Sequence, residues 1–164
     1  MKVLSFVVAD EAFAVDASLV QTVTRKLTVT PVPVAPVEIS GIANLKGRVV
    51  TVFNLYELLA YKERRKDQRA VHAVNAVVFK SFSGSDDLIA VTIGQPGNLI
   101  DIDDDAVRRI DHEAGQGENI YVSEIAEAHD TLYRIVDIGS IMEKYKIIGE
   151  NAAETDKNGG SKDE

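Results

Sequence analysis

The apolar residues of this chain fall in short runs, and turn-forming residues separate one run from the next. This pattern is typical of β-strands. Two hairpins are predicted from it. The first has strands Lys2–Val8 and Glu11–Val15 around Ala9-Asp10, and the second has strands Val74–Phe82 and Leu88–Ile93 around a turn rich in serine. Because strands of this kind recur along the chain, we expect a mainly β protein.

The two predicted hairpins resemble each other at a shift of 76 positions. The matching pairs are Ser5 and Ser81, Phe6 and Phe82, Asp10 and Asp86, Ala14 and Ala90, and Val15 and Val91. A second repeat, at a shift of 83, matches residues 39–43 to 122–126 and 52–59 to 135–142. Chance similarity among β-rich segments is an alternative, but two matches in the same order favour an internal duplication.

Each copy of the second repeat ends its β-run at a good N-cap residue, Asn54 or Asp137. Apolar positions at spacing i, i+3 and i+4 follow, which predicts short helices near Leu55–Arg65 and Ile138–Ile148. A repeat unit of about 75 residues suits a small closed barrel, which leaves no open sheet edge. The pattern therefore predicts two small β-barrels packed side by side with short helices.

We assign residues 1–148 to a single domain. Its first barrel is expected mainly in residues 12–70 and its second mainly in 71–148, with the N-terminal strand as an element that both could share. Residues 149–164 hold nothing larger than alanine to bury, so we expect a disordered polar tail. Three prolines make Pro31–Pro36 a stiff extended loop, for which a proline-rich ligand motif is the alternative.

Composition narrows the function classes. The 164 residues include no cysteine, which excludes disulfides, thiolate catalysis and cysteine metal sites and suits a reducing compartment. A net charge of −8 argues against nucleic acid or anionic lipid as a partner. The cationic run Lys62–Arg69 is a local exception, which we interpret as a solvated helix end. No run approaches the roughly 20 apolar residues of a membrane helix, so we expect no membrane insertion and a cytoplasmic protein.

No chemistry-bearing constellation is apparent. Asp101–Asp105 resembles the start of a calcium loop, but Ala106 stands where that loop needs glycine and His112 where it needs glutamate. We interpret these acidic residues as the N-terminus of a helical turn, Asp105–Ile110. The histidines share no metal-binding spacing, and neither a nucleophile elbow nor a phosphate loop is present. We therefore expect no catalytic residue, no metal and no cofactor.

The most specific stretch is Gly41–Leu55, GIANLKGRVVTVFNL. It resembles the signature of the CheW family of chemotaxis coupling proteins, and of the related regulatory domain of the chemotaxis histidine kinase. Supporting likenesses lie in Phe13–Val23, in Pro31–Pro36 and in Tyr133–Ile138, so that the resemblance covers about residues 3–148. It implies a fold of two five-stranded SH3-like barrels.

The resemblance also implies a function. Such a protein is a non-catalytic adaptor that bridges the cytoplasmic tip of chemoreceptors, the methyl-accepting chemotaxis proteins, to the regulatory domain of the histidine kinase CheA. It lies in the cytoplasm at membrane-anchored receptor arrays. The alternatives are a small-molecule-binding β-barrel, an uncharacterised enzyme, or a fragment of a kinase regulatory domain. The last is disfavoured because the chain starts near its first strand and ends in a polar tail, as an autonomous protein would.

Two groups of residues are expected to bind the partners. Glycines allow tight turns, and here they frame an amide, an apolar side chain and a cation, so we predict a binding loop. Two further residues lie two apart on a strand, where they would share one face and line a groove. The predicted partner-binding residues are Val20, Thr22, Gly41, Asn44, Leu45, Lys46 and Gly47.

The chain departs from the family pattern at two of these positions. Lys46 stands where arginine is usual, and Thr22 stands where glutamate is common. Lysine keeps the charge but lacks the forked donor set of arginine, so a bidentate contact does not transfer. Thr51 for proline and Asn54 for aspartate are changes that the fold tolerates. We therefore expect a divergent coupling protein with its own kinase or receptor class.

Overall fold

A computed structural model describes residues 1–59, 73–81, 87–111 and 121–145. Helix α1 spans Leu55–Leu58, residues 138–145 form the C-terminal helix, and two 3-10 turns span Ala17–Leu19 and Asp104–Ala106. The strands in these ranges are β1 (Lys2–Val8), β2 (Glu11–Asp16), β3 (Val20–Thr28), β4 (Ile39–Leu45), β5 (Arg48–Phe53), β6 (Ala73–Phe79), β7 (Leu88–Ile93), β8 (Gln95–Asp101), β9 (Val107–Arg109), β10 (Val122–Ala128) and β11 (Thr131–Val136).

Some predictions fall on residues that are not described. These are the polar tail 149–164, the cationic run Lys62–Arg69, the turn 82–86 and the far ends of both predicted helices. Within the described ranges, no helix combines the length and the apolar character that a membrane crossing requires.

The first barrel is a five-stranded sheet in the order β3-β6-β7-β5-β4. Its two edge strands meet just after β3, where Thr30 and Ile42 form an antiparallel bridge. The Thr30 amide donates to the Ile42 carbonyl at 2.8 Å, and the Ile42 amide donates to the Thr30 carbonyl at 2.9 Å. These two hydrogen bonds close the sheet on itself.

The second barrel is a sheet in the order β8-β1-β2-β11-β10-β9. Its edge strands β8 and β9 are consecutive in the chain and are joined by the 3-10 turn Asp104–Ala106. One bent segment therefore pairs with β1 at its start and with β10 at its end, so this sheet is closed by the continuous chain and not by a bridge. The predicted fold class, a mainly β protein of two small barrels with short helices, is confirmed.

The division of the chain between the barrels differs from the expected boundary near residue 70. Strands β6 and β7 belong to the first barrel, and β2 belongs to the second together with β1. The cause is a pair of parallel contacts between strands that are distant in the chain, β5 with β7 and β2 with β11. Such non-local pairing leaves no mark on local hydrophobic periodicity.

The repeat at a shift of 83 is reproduced in the strand register. Hairpin β4–β5 pairs Ile39 with Phe53 and then, across a bulge, Gly41 with Val52. Hairpin β10–β11 has the equivalent bulge, pairing Val122 with Val136 and Glu124 with Ile135. The N-caps are also equivalent, since both side chains accept a hydrogen bond from the amide three residues later. The hairpins β4–β5 and β10–β11 are therefore duplicates in register and in the N-cap that follows each.

The repeat at a shift of 76 holds for the second strand of each N-terminal hairpin only. Ala14 lies opposite Ile135 in parallel register, as Ala90 lies opposite Val52. The first strands are related differently. Phe6 pairs with Phe13, and the equivalent of Phe13 is Ile89, which pairs with Phe79. Phe79 is therefore the equivalent of Phe6. The shift there is 73, so the predicted matches of Ser5 with Ser81 and of Phe6 with Phe82 are wrong.

Three apolar clusters hold the two barrels. One fills the first barrel, with Val50, Val52 and Val78 all at 0% exposure, and a smaller one fills the second. The largest joins the barrels and contains side chains from both sheets and both helices, including Phe6, Phe13, Phe53, Phe79, Leu55 and Ile141. Alternate residues of β6 contribute to different clusters, which is why this strand is buried on both faces.

The helical turn predicted at Asp105–Ile110 is wrong. A single 3-10 turn, Asp104–Ala106, is followed at once by strand β9. Arg108 and Arg109 pair with Ile125 and Glu124 of β10. Barrel closure therefore overrides the local preference of the acidic residues for a helix N-terminus.

Candidate functional site

The predicted binding loop is the turn of hairpin β4–β5. Leu45 pairs with Arg48 across the hairpin, so the turn consists of two residues, Lys46 and Gly47. Their φ angles are +51° and +83°. Positive φ at both central residues is the condition for a type I′ turn, whose twist matches that of the flanking strands. A Cβ added at Gly47 meets no atom within 4 Å, so this position favours glycine for its backbone angle alone.

The Asn44 side chain stabilises the turn. Its Oδ1 accepts a hydrogen bond from the Gly47 amide at 2.9 Å. Asn44, Lys46 and Gly47 are exposed, whereas Leu45 is half-buried and packs against the core of the first barrel. The loop is therefore anchored by Leu45, fixed in shape by Asn44 and open to a partner at Lys46.

The charge on this loop contrasts with the chain as a whole. Lys46 and Arg48 place two exposed cations at the end of the hairpin, in a protein of net charge −8. Asparagine or glycine would occupy the left-handed position of Lys46 with less strain, since a non-glycine side chain there costs about 1 kcal/mol. Strained residues are concentrated at functional sites. Non-glycine residues occupy the same conformation in the other hairpin turns, Ala9-Asp10 and His129-Asp130, so Lys46 is distinguished by its exposed charge.

Gly41 has a structural role. It is buried at φ +148°, and an added Cβ would collide with the carbonyl oxygen of Thr30 and lie 2.7 Å from its carbonyl carbon. Only glycine lets the two edge strands approach closely enough to form the Thr30–Ile42 bridge. Its predicted role in partner binding stays a prediction.

The prediction that Val20 and Thr22 share one face is wrong. A bulge lies between them, so that Val20 pairs with Phe79 and Thr22 with the adjacent Val78. Adjacent residues of a strand point to opposite faces, so Phe79 and Val78 face opposite sides of the sheet. Their partners Val20 and Thr22 therefore do so as well. Val20 is half-buried against the cluster that joins the barrels, whereas Thr22 is exposed.

A second cluster, which the sequence did not reveal, links the C-terminal helix to the first barrel. The Tyr145 ring packs against Phe53 with 4.7 Å between ring centroids. The Lys144 Nζ lies 5.6 Å from the Tyr121 ring centroid and 5.8 Å from that of Tyr145. Tyr145 lies in the predicted helix near Ile138–Ile148, but Phe53 is 92 positions before it, beyond any local pattern.

The surroundings of this cluster raise the pKa of both Lys144 and Tyr145. The neighbouring Tyr121 side chain is the main cause that raises the pKa of Lys144, and Glu38 adds to it. Burial is the main cause that raises the pKa of Tyr145, again with a contribution from Glu38. Both shifts favour the protonated forms, a cationic Lys144 and a neutral Tyr145. The cluster ties the helix to the barrel without exposing a reactive group.

Among the described residues, no three histidine, cysteine or acidic side chains gather as metal ligands. An open depression is lined by Asp103, Asp104, Asp105 and Ala106. Small-molecule sites are concave and mostly apolar, whereas this one is shallow and lined by carboxylates. The depression gives no support to a ligand-binding or enzymatic role.

Comparisons with known proteins point to one family. A family model described as the CheW-like domain matches residues 2–146. The "Chemotaxis protein CheW" of Thermotoga maritima is 38% identical over 58 residues, a match that covers 35% of this chain and 38% of that protein. The matched part is thus well under two thirds of the relative's length. The scaffolding protein TtCheW from Thermoanaerobacter tengcongensis has a similar fold, with a TM-score of 0.66, 21% identity, and coverage of 82% of this chain and 87% of that one.

Proposed function

Because this chain belongs to the CheW-like domain family, we propose that it is a non-catalytic adaptor in chemotaxis signalling. It bridges the cytoplasmic tip of chemoreceptors to the regulatory domain of the histidine kinase CheA, in the cytoplasm at membrane-anchored receptor arrays. The observation that carries the proposal is the family match across residues 2–146. The twin-barrel fold supports it, because two barrels offer separate surfaces for two partners.

The β4–β5 turn is the proposed docking element. A loop that already has its bound shape loses little conformational entropy when a partner binds. The Asn44–Gly47 hydrogen bond and the buried part of Leu45 provide that rigidity. Lys46 supplies a positive charge at the point of contact, so we expect its counterpart on the partner to be acidic.

Contacts of this kind are weak individually. An adaptor with two such contacts gains strength when both partners are held in one assembly, because the second contact forms at a high effective concentration. Lysine also makes a single-point rather than a forked contact, which suits an interface that exchanges readily. The function therefore depends on the geometry of the scaffold and needs no reactive group.

The proposal is tested by titration calorimetry of the intact chain. One titration uses the purified regulatory domain of the kinase, and another uses a helical hairpin from the receptor tip. We expect saturable binding to the kinase domain and weaker binding to the receptor hairpin. Lys46→Glu should weaken binding by tenfold or more, because it reverses the charge at the contact without removing a buried group.

Lys26→Glu is the matched control. Lys26 is also exposed, lies on the first barrel and has a φ of +56°, so the same substitution changes the same charge at a similarly strained position. Its binding should match that of the wild type. Absence of heat with both partners would refute the adaptor function. Equal losses in the two variants would instead show that net charge, and not the turn, controls binding.

A further inference from the structure

The loop between β3 and β4 is unusually apolar for an exposed segment. Residues Leu27–Val37 form an uncharged run in a chain that is 27% charged. Three valines of the segment Pro31–Val37, here called the proline loop, are exposed: Val32 by 41%, Val34 by 103% and Val37 by 60%. Single exposed apolar side chains are common, but three on one short loop mark an interaction surface.

Val34 is also in a disfavoured conformation. Its φ is +63°, in the left-handed region that β-branched residues rarely adopt. A fully exposed side chain gains nothing from packing, so nothing in the fold offsets this strain. Asparagine or glycine would be favoured there on physical grounds. The presence of valine therefore points to a contact made outside the chain.

The proline loop is held in place from both sides. Its prolines fix φ, the Ala35 amide donates to the Val32 carbonyl at 3.4 Å, and the Ile39 amide donates to the Pro36 carbonyl at 3.0 Å. The loop begins directly after the Thr30–Ile42 bridge, where the Pro31 Cα lies 3.0 Å from the Cβ that Gly41 lacks. Val34 is thus displayed on a stiff support.

The same bridge makes the proline loop continuous with the docking hairpin. Ile42 and Val49 lie diagonally on the outer face of β4–β5 and are 41% and 64% exposed. The apolar surface thus runs from the proline loop along the hairpin toward Lys46. It combines an apolar end with a cationic end.

We propose that Val34 is an apolar anchor that inserts into an uncharged concave pocket on the kinase regulatory domain. This inference rests on the proposed function and extends its docking surface from Lys46 to the proline loop. The Val34 side chain projects fully from the loop, so its counterpart is a concavity of a globular domain rather than the ridged surface of a helical hairpin.

The test compares Val34→Asn with the wild type in two measurements. Asparagine tolerates positive φ and removes the apolar side chain, so the melting temperature should stay equal or rise while affinity for the kinase domain falls about tenfold. Lys26→Asn controls for relief of strain and Leu99→Asn, a residue 63% exposed on the second barrel, for loss of an exposed apolar side chain. Both controls should bind the kinase domain as the wild type does.

Each outcome is decisive. If Lys46→Glu weakens binding and Val34→Asn does not, the anchor is refuted and the adaptor function stands. Loss of binding to the receptor hairpin alone would assign Val34 to the other partner and overturn the proposal. Sedimentation velocity that shows a wild-type dimer, dispersed by Val34→Asn, would assign it to self-association and also overturn it. If the wild type binds neither partner, both the inference and the proposed function fail.

Discussion

Substitution of Gly41 by alanine isolates the contact that closes the first barrel. The added methyl group would occupy the space of the Thr30 carbonyl, a backbone group that has no alternative rotamer. The strands must therefore separate, which breaks the bridge at Thr30 and Ile42. At φ +148°, alanine is also strained before any contact is considered.

The magnitude follows from these two effects. Loss of the two bridge hydrogen bonds costs about 1 kcal/mol each. A non-glycine residue in a sparsely populated backbone region costs a further ~1–3 kcal/mol. We therefore expect Gly41→Ala to lower the free energy of unfolding by about 3–5 kcal/mol, a large part of the ~5–15 kcal/mol that domains have in total. For a domain of this size the melting temperature should fall by about 10 °C or more.

Urea unfolding followed by circular dichroism measures this loss. Gly47→Ala is the matched control, because Gly47 also has positive φ but its missing Cβ faces open space. The control should cost only the backbone strain, about 1 kcal/mol. A loss below 1 kcal/mol for Gly41→Ala, or equal losses for the two variants, would refute the assignment of Gly41 to barrel closure.

Two further predictions concern the helices. Asn54→Ala and Asp137→Ala should each lower the free energy of unfolding by about 1 kcal/mol in urea titrations, because each removes a side-chain oxygen that caps an amide at 3.3 or 3.1 Å; a loss in only one would contradict the equivalence of the repeats. Burial raises the pKa of Tyr145 above its usual 10.0, so the folded protein holds this proton more tightly and stability should fall as pH rises through 10. Tyr145→Phe should match the wild type at pH 8 and exceed its stability near pH 11 in thermal melts, and a wild type that remains the more stable at pH 11 would contradict the sign.

Local pattern predicted the elements whose partners are near in the chain. The apolar runs Lys2–Val8 and Glu11–Val15, with two turn residues between them, predict a hairpin, and the short turn limits its register. Asn54 and Asp137 predict the helices that follow them, because an N-cap hydrogen bond involves only the next three residues. The tight turn at Gly47 was predicted from its glycine, but Gly41 lies within β4, so the predicted glycine-framed loop is reduced to the two turn residues Lys46 and Gly47.

Features that depend on distant partners were not predicted. Nothing near Val20 signals the bulge that separates it from Thr22, since the bulge arises from the pairing of β3 with β6. The packing of Tyr145 on Phe53 and the parallel contact of β5 with β7 also join residues far apart in sequence. At the site itself, the pattern located the cationic turn but not the strained Val34, because φ is a property of the folded loop.

The order of strands has a consequence for how the chain assembles as it leaves the ribosome. The first barrel is continuous, from Val20 to Ile93, so all its strands emerge before the second barrel can be completed. Hairpin β1–β2 emerges earliest yet lacks its neighbour β11 until residue 136 has been synthesised. Chains fold from their N-terminal part during synthesis. The completed first barrel therefore provides an apolar surface against which Phe6 and Phe13 of this hairpin pack. The barrel that emerges complete thus acts as a template on which its twin is assembled.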